Sequence, residues 1–187
     1  MREAISGTWL FQLVIVFILL FVGYLTLSLN YSKSFRVKNE VISIIEREEG
    51  MTSGVSTEYG AVGLIANYLK NSGYSTKGKC PTDENTEYGT MSRYTESSWF
   101  GVDSLDATNI ESNTSNLLKP ADKNTEYYYC VKKIWGYYPK ESQIAYYKVQ
   151  LFFHFDLPVF GSIAKFRVTG QTIDIQYPQD KDFDWIR

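Results

Sequence analysis

The sequence predicts an α+β protein in which one long N-terminal helix packs on an antiparallel sheet of three or four strands. Three observations carry that prediction. Residues 9–29 are almost entirely apolar, broken only by Gln12, Gly23, Thr26 and Ser28 and by no charge. Apolar residues then recur at helical spacing with charges between them, as far as Gly50. Near the C-terminus, residues 145–155 are apolar at every odd position, the period of a strand with one buried face.

A chain of 187 residues allows one ordinary domain, or a modest domain with an appendage. A formal net charge of −2 argues against a protein built to grip nucleic acid, which usually carries a basic excess. One histidine and two cysteines are too few for the usual four-ligand zinc site, so neither a metal nor a cofactor is expected. An aromatic share of 16% sets the chain apart from disordered sequences, which are poor in aromatics. The mean hydropathy of −0.25 looks soluble, but it averages two unlike segments.

The first element is a membrane-crossing helix over residues 8–30, behind a short cytoplasmic tail or leader of residues 1–7. About 20 apolar residues suffice to cross a bilayer. Trp9 at one end and Tyr24 and Tyr31 toward the other suit the aromatic belts of the two interfaces. A cleaved secretory signal is the competing reading. The apolar run exceeds the 7–15 residues typical of a signal, and no A-x-A cleavage site follows it. Lys33, Arg36 and Lys38 outnumber Arg2, which by charge count alone would hold the large domain inside the cell. Two features point the other way. Cys80 and Cys130 are the only cysteines, a pair that reads as one disulfide in an oxidising compartment, with two unrelated buried thiols as the alternative. A seven-residue tail is also easier to leave inside than to export. The expected topology is therefore cytoplasmic N-terminus and extracytoplasmic domain.

Residues 31–50 are read as an amphipathic continuation of the same helix, with Phe35, Val41, Ile42 and Ile45 on one stripe and Val37 and Ile44 beside it. Gly50 stands where a C-terminal cap belongs. The extracytoplasmic α+β domain, residues 51–187, should open with a second helix over residues 57–71. Its stripe is Val62, Ile65, Tyr68 and Leu69, and Gly73 is its stop. Residues 77–123 are polar and read as an irregular loop with one short strand near residues 94–102. A strand over residues 127–135 should end in a turn at Gly136, Tyr137, Tyr138 and Pro139. The strand over residues 145–155 follows, then a connection holding Pro158. A last strand over residues 163–177 has a buried phase at Ala164, Phe166 and Val168 that shifts to Ile173 and Ile175, with a bulge or bend expected at Gly170.

A long helix, half in the membrane and half packed on an antiparallel sheet, is the plan of pilins and pseudopilins in the type IV pilin-like superfamily. At residue level the chain resembles the TadE-like minor pseudopilins of tight-adherence (Tad) pilus systems. The run Gly7, Thr8, Trp9, Leu10, Phe11, Gln12, Leu13 resembles that family's small residue followed by apolar residues and an acidic position, with Gln12 where the family usually has Glu. The juxtamembrane FRVKNEVISIIE continues the helix as pilins do. VQLFFHFDLPVFGSIAKFRVTGQT resembles the family's closing β-hairpin. The likeness covers about the first and last 50 residues. It implies a possible leader cleavage after Gly7 and an assembly helix that includes Gln12, Phe17, Val22 and Gly23, where Gly23 permits close helix approach. It also implies partners: the lipid bilayer, other pilin-like subunits and an inner-membrane assembly platform. In that family the acidic side chain pairs with a neighbouring subunit's amino terminus, and Gln12 removes that charge.

Motifs for chemistry are sparse, so no enzyme is expected. His154 with Asp156 could act as a base pair, although a solvated strand face explains both. Asp180, Asp182 and Asp184 alternate as carboxylates do in a calcium loop, yet without its glycine and closing glutamate. Asn113 opens a glycosylation sequon. Tyrosines cluster on neighbouring strands, and Tyr128, Tyr138 and Tyr146 are candidates for a contact surface, against plain cross-strand packing. The expected function is a single-pass minor pseudopilin in a Tad-type pilus or secretion filament. The alternative is a membrane-anchored adhesin or ligand-binding domain with a tyrosine-rich face.

Overall fold

A computed structural model describes residues 2–51, 60–81, 94–105, 118–138, 142–157 and 161–178. Helix α1 runs unbroken over Arg2–Arg47. At 1.5 Å per residue its 46 residues span about 70 Å. Helix α2 covers Gly60–Asn71. Seven strands follow: β1 Tyr94–Glu96, β2 Phe100–Val102, β3 Leu118–Pro120, β4 Tyr129–Tyr138, β5 Ser142–Leu157, β6 Gly161–Gln171 and β7 Ile175–Pro178. All described pairings are antiparallel, in the order β3-β2-β4-β5-β6, with β1 also on β4 and β7 also on β5. The α+β class holds. Among the described residues the sheet has seven strands rather than three or four, because four of them are only three or four residues long.

The core lies between the helices and one face of the sheet. From α1, Val37, Val41, Ile44 and Ile45 are buried, and from α2, Val62, Ile65, Ala66 and Leu69. They pack on Tyr129, Val131, Tyr147, Val149 and Leu151. The stripe of α1 that meets the sheet is thus Ser34, Val37, Val41, Ile44 and Ile45, while Phe35 and Ile42 flank it half-buried. A smaller cluster on the opposite face joins Cys80, Cys130, Tyr127 and Phe152, with Trp99 and Ala121 against it.

Both helices end in the hydrogen-bond pattern of a Schellman cap. At the end of α1, the Gly50 N–H reaches Ile45 O at 2.9 Å and the Glu49 N–H reaches Glu46 O at 3.2 Å. Glu49 itself takes the left-handed turn at φ 54°, so Gly50 is the residue after the cap, at φ 127°. A side chain at Gly50 would run into the Tyr147 and Tyr177 hydroxyls. Gly73 closes α2 as expected, with φ 70° and the Tyr74 N–H on Leu69 O at 3.0 Å. The expected start of α2 at residue 57 lies outside the described residues.

Three expectations about strands need correction. Gly136, Tyr137 and Tyr138 form no turn. They continue β4, paired with Ile144, Gln143 and Ser142 of β5. The last strand breaks at residues 172–174 rather than at Gly170, leaving β6 and β7 in line along the same side of β5. Thr172 stands in the gap as a ladder substitute: Tyr147 N–H donates to its Oγ1 and its own N–H donates to Tyr147 O, both at 3.0 Å. Beyond the break the buried residues are Ile175 and Tyr177, and Ile173 is 69% exposed. Gly170 serves packing instead. A Cβ there would lie 2.5 Å from Ile42 Cδ1, so glycine is what lets α1 come down on β6. A register shift in the β5–β6 ladder falls between Phe155 and Asp156.

Candidate functional site

The feature that distinguishes this molecule is a single helix with two different surroundings. Over the described side chains of its first half, α1 carries exposed apolar groups on every side. Trp9, Phe17 and Leu20 are 66–70% exposed, and Val22 is still 43% exposed. A helix that is apolar all round belongs in a membrane or deep in a protein. The segment Thr8–Arg47 contains a window of mean hydropathy 2.6 with none of it buried, so by length and composition it can cross a bilayer. Its polar side chains suit that setting. Thr26 returns its hydroxyl to Val22 O at 2.9 Å, satisfying itself within the helix. Gln12 shares a shallow groove with Trp9, Leu13 and Val16. A Cβ at Gly23 would meet nothing within 4 Å, so the glycine is not required by the fold of this chain. Gly7 is helical in backbone, and its side-chain surroundings lie outside the described residues.

From Ser34 the same helix docks on the sheet. Ser34 is fully buried and donates to Tyr31 O at 2.7 Å. At the far end two tyrosines hold the cap: Tyr177 donates to Glu49 O at 2.6 Å, and its hydroxyl lies 3.1 Å from that of Tyr147. Ile173 N–H donates to Glu46 Oε1 at 2.9 Å, tying the strand break to the last turn of α1.

The two cysteines are joined in a Cys80–Cys130 disulfide, with Cα atoms 5.7 Å apart. Such bonds persist in oxidising compartments. The bond pins the segment after α2 to β4, on the face away from the helices.

The expected contact surface does not gather into one face. Tyr128 is half-buried against the helix-side core, 6.4 Å from the Tyr74 ring and with Lys77 Nζ 4.4 Å from its own ring centroid. Tyr146 alternates with the buried Ala145 and Tyr147, so it stands on the opposite face, paired with Ile134. Tyr138 ends β4 opposite Ser142, and its side chain lies outside the described residues. His154 is bonded through Nδ1 to the Thr76 hydroxyl rather than to a carboxylate in any described contact. The side chain of Asp156, along with Asn113 and Asp180, Asp182 and Asp184, lies outside the described residues. Among the described residues no group of three or more His, Cys, Asp or Glu side chains is placed to hold a metal ion.

No family model matches the chain, and no curated protein or solved structure matches it.

Sequence reasoning missed Tyr74. It donates to Tyr128 O and accepts from Phe152 N–H, both at 2.8 Å, and so bridges the approach to β4 with β5 just past the last ladder pair, Tyr129 with Leu151. No local spacing could reveal a partner 78 residues away. Burial pushes the Tyr74 phenol well above its ordinary range, against the opposing effect of the Phe152 hydrogen bond. Burial alone does the same at Tyr129, whose hydroxyl has no hydrogen-bond partner among the described residues. At Tyr68 burial acts first and the Glu40 carboxylate adds to it. On the surface, a 2.8 Å hydrogen bond to Asp103 raises Lys119.

These tyrosines make stability fall in alkali. An unfolded tyrosine ionises near pH 10, whereas buried Tyr74 and Tyr129 hold their protons well beyond it. The unfolded state therefore binds fewer protons above about pH 10, and stability drops by up to about 1.4 kcal/mol per pH unit for each group. The stabilisation is complete below pH ~10 and is lost as pH rises through the folded-state values. Urea midpoints measured from about pH 8 to pH 12 should be level and then fall, with tyrosinate absorbance appearing together with unfolding. A midpoint that stays level to about pH 12 contradicts the assignment.

Proposed function

We propose that this chain is a single-pass membrane-anchored minor pseudopilin, a structural component of a Tad-type pilus or secretion filament, with its N-terminus cytoplasmic and its α+β domain outside. One observation carries the reading. A continuous α1 leaves its apolar half uncovered by the chain and commits its other half to the sheet. The uncovered half then packs in lipid, and on assembly it packs against helices of other subunits. The disulfide supports an oxidising location for the domain. The adhesin reading is less favoured, because the tyrosines proposed for its face are divided between two sides of the sheet.

Two substitutions test it. Phe17→Arg places a charge near the middle of the apolar run, at an insertion cost of about 2.5–3.5 kcal/mol, and should abolish both anchoring and filament assembly. Gly23→Leu keeps the span apolar and touches nothing in the folded chain. It should leave anchoring and domain stability unchanged while weakening helix association by about 1 kcal/mol, roughly fivefold. Subunit crosslinking and filament yield in cells carrying the assembly machinery read the difference. Normal filaments from Phe17→Arg would end the filament reading.

A further inference from the structure

A cavity of about 280 Å³ lies where α1 leaves its apolar half, between that helix, the turn after α2 and strands β5 and β6. Ligand clefts typically run from roughly 300 to 1,000 Å³, so this one suits a small group such as a headgroup. Its position along α1 is informative. Residues 9–29 span about 31 Å at 1.5 Å per residue, close to the roughly 30 Å thickness of a bilayer's hydrocarbon core. Asn30 and Lys33, which line the cavity, therefore fall at the level of the lipid headgroups. Lys33 is also the first charged residue after Glu3.

The chemistry of the walls selects an anion. Lys33 brings a cation that no described carboxylate pairs with, and among the described residues no Asp or Glu lines the cavity. Asn30, Ser75 and Thr76 add amide and hydroxyl groups that can hydrogen-bond a phosphate oxygen. His154 stands beside them, held by Thr76. Behind this polar mouth the floor is aromatic: Phe153 stacks on Phe166 at 5.6 Å, and the edge of Tyr74 meets Phe153 at 5.4 Å. A charged, hydrogen-bonding mouth over an apolar floor, at the membrane surface, matches a phosphate joined to a glycerol backbone.

We infer that this cavity is a phosphate site filled by the headgroup of an anionic glycerophospholipid. The inference rests on anchoring through α1, which is checked separately by detergent phase separation of the same samples.

Native mass spectrometry of the full disulfide-bonded chain released from detergent micelles tests the site. The probes are phosphatidylglycerol, an uncharged galactosyl diacylglycerol, and inorganic phosphate. The expected result is at least fivefold greater retention of phosphatidylglycerol than of the galactolipid. Lys33→Gln should abolish that preference, and Lys79→Gln, outside the cavity, should keep it. Equal retention of the two lipids, or an unchanged preference in Lys33→Gln, overturns the site. Binding of inorganic phosphate with no lipid preference overturns the lipid assignment. A chain that partitions into detergent yet shows no lipid preference loses the site and keeps its anchor.

Discussion

Replacing Cys80 and Cys130 together by serine lowers the unfolding free energy of the domain by about 4 kcal/mol, the value expected for opening a loop closed by residues 50 apart. The effect is large because the bond carries a task that packing cannot. The segment after α2 crosses to the far face of the sheet, and the cluster it meets there is small, with Tyr127 and Phe152 as its main apolar bodies. Among the described residues no helix covers that face. Without the crosslink, the described chain around Cys80 is held by the paired Gly78–Tyr127 backbone bonds, the Thr76–His154 bond and the contacts of Lys77 with Asp103 O and the Tyr128 ring. Urea titrations of the oxidised protein, the reduced protein and the double-serine variant should place the last two together, well below the first. Equal midpoints for all three would show that the far face is held by packing alone. The same variant should accumulate poorly when exported, since a domain of ordinary stability has only about 5–15 kcal/mol to lose.

The second large effect comes from Ile45→Ala, which should destabilise the domain by about 2–5 kcal/mol. Ile45 is fully buried in the core cluster that also holds Met51, Ile65 and Tyr147. Truncation leaves a cavity where α1 meets the sheet just ahead of its cap, and the Tyr177–Glu49 bond limits how far the helix can settle into it. Leu19→Ala on the same helix is the contrast, since Leu19 is half exposed and touches none of that core. It should leave the urea midpoint of the domain unchanged. Ile45→Ala in turn should leave detergent partition intact. Equal effects of the two on the midpoint would mean that the halves of α1 are not separable in their roles.

Much of this architecture could be read from the residues. The charge-free run and the helical spacing after it gave α1, and the odd-position alternation gave β5, because both are local periods imposed by one buried face. Gly73 and Gly50 marked helix ends for the same reason, although Glu49 takes the left-handed position itself. Other features were hidden for stated physical causes. The one short strand expected near residues 94–102 is two, β1 and β2, and β3 went unread, because three residues each are too few for a period to show. Gly170 looked like a strand break because glycine interrupts strands, but here its missing side chain makes room for Ile42. The real break fell at Thr172, whose hydroxyl and amide imitate the ladder. The interfacial cavity was invisible because Lys33, Thr76 and His154 come from three separate elements and share no spacing.

The unbroken course of α1 also fixes an angle. A helix turns by about 100° per residue, and no interruption separates the exposed apolar half from the half clamped to the sheet. In the proposed assembly, whichever stripe of Phe17, Val22 and Gly23 met a neighbour would therefore dictate which side of the domain faces outward, some tens of ångströms away. One residue added between Gly23 and Ser34 would swing the whole domain round by about 100° while lifting it only about 1.5 Å. The helix acts as a key shaft, in which bearing and blade share one rotation.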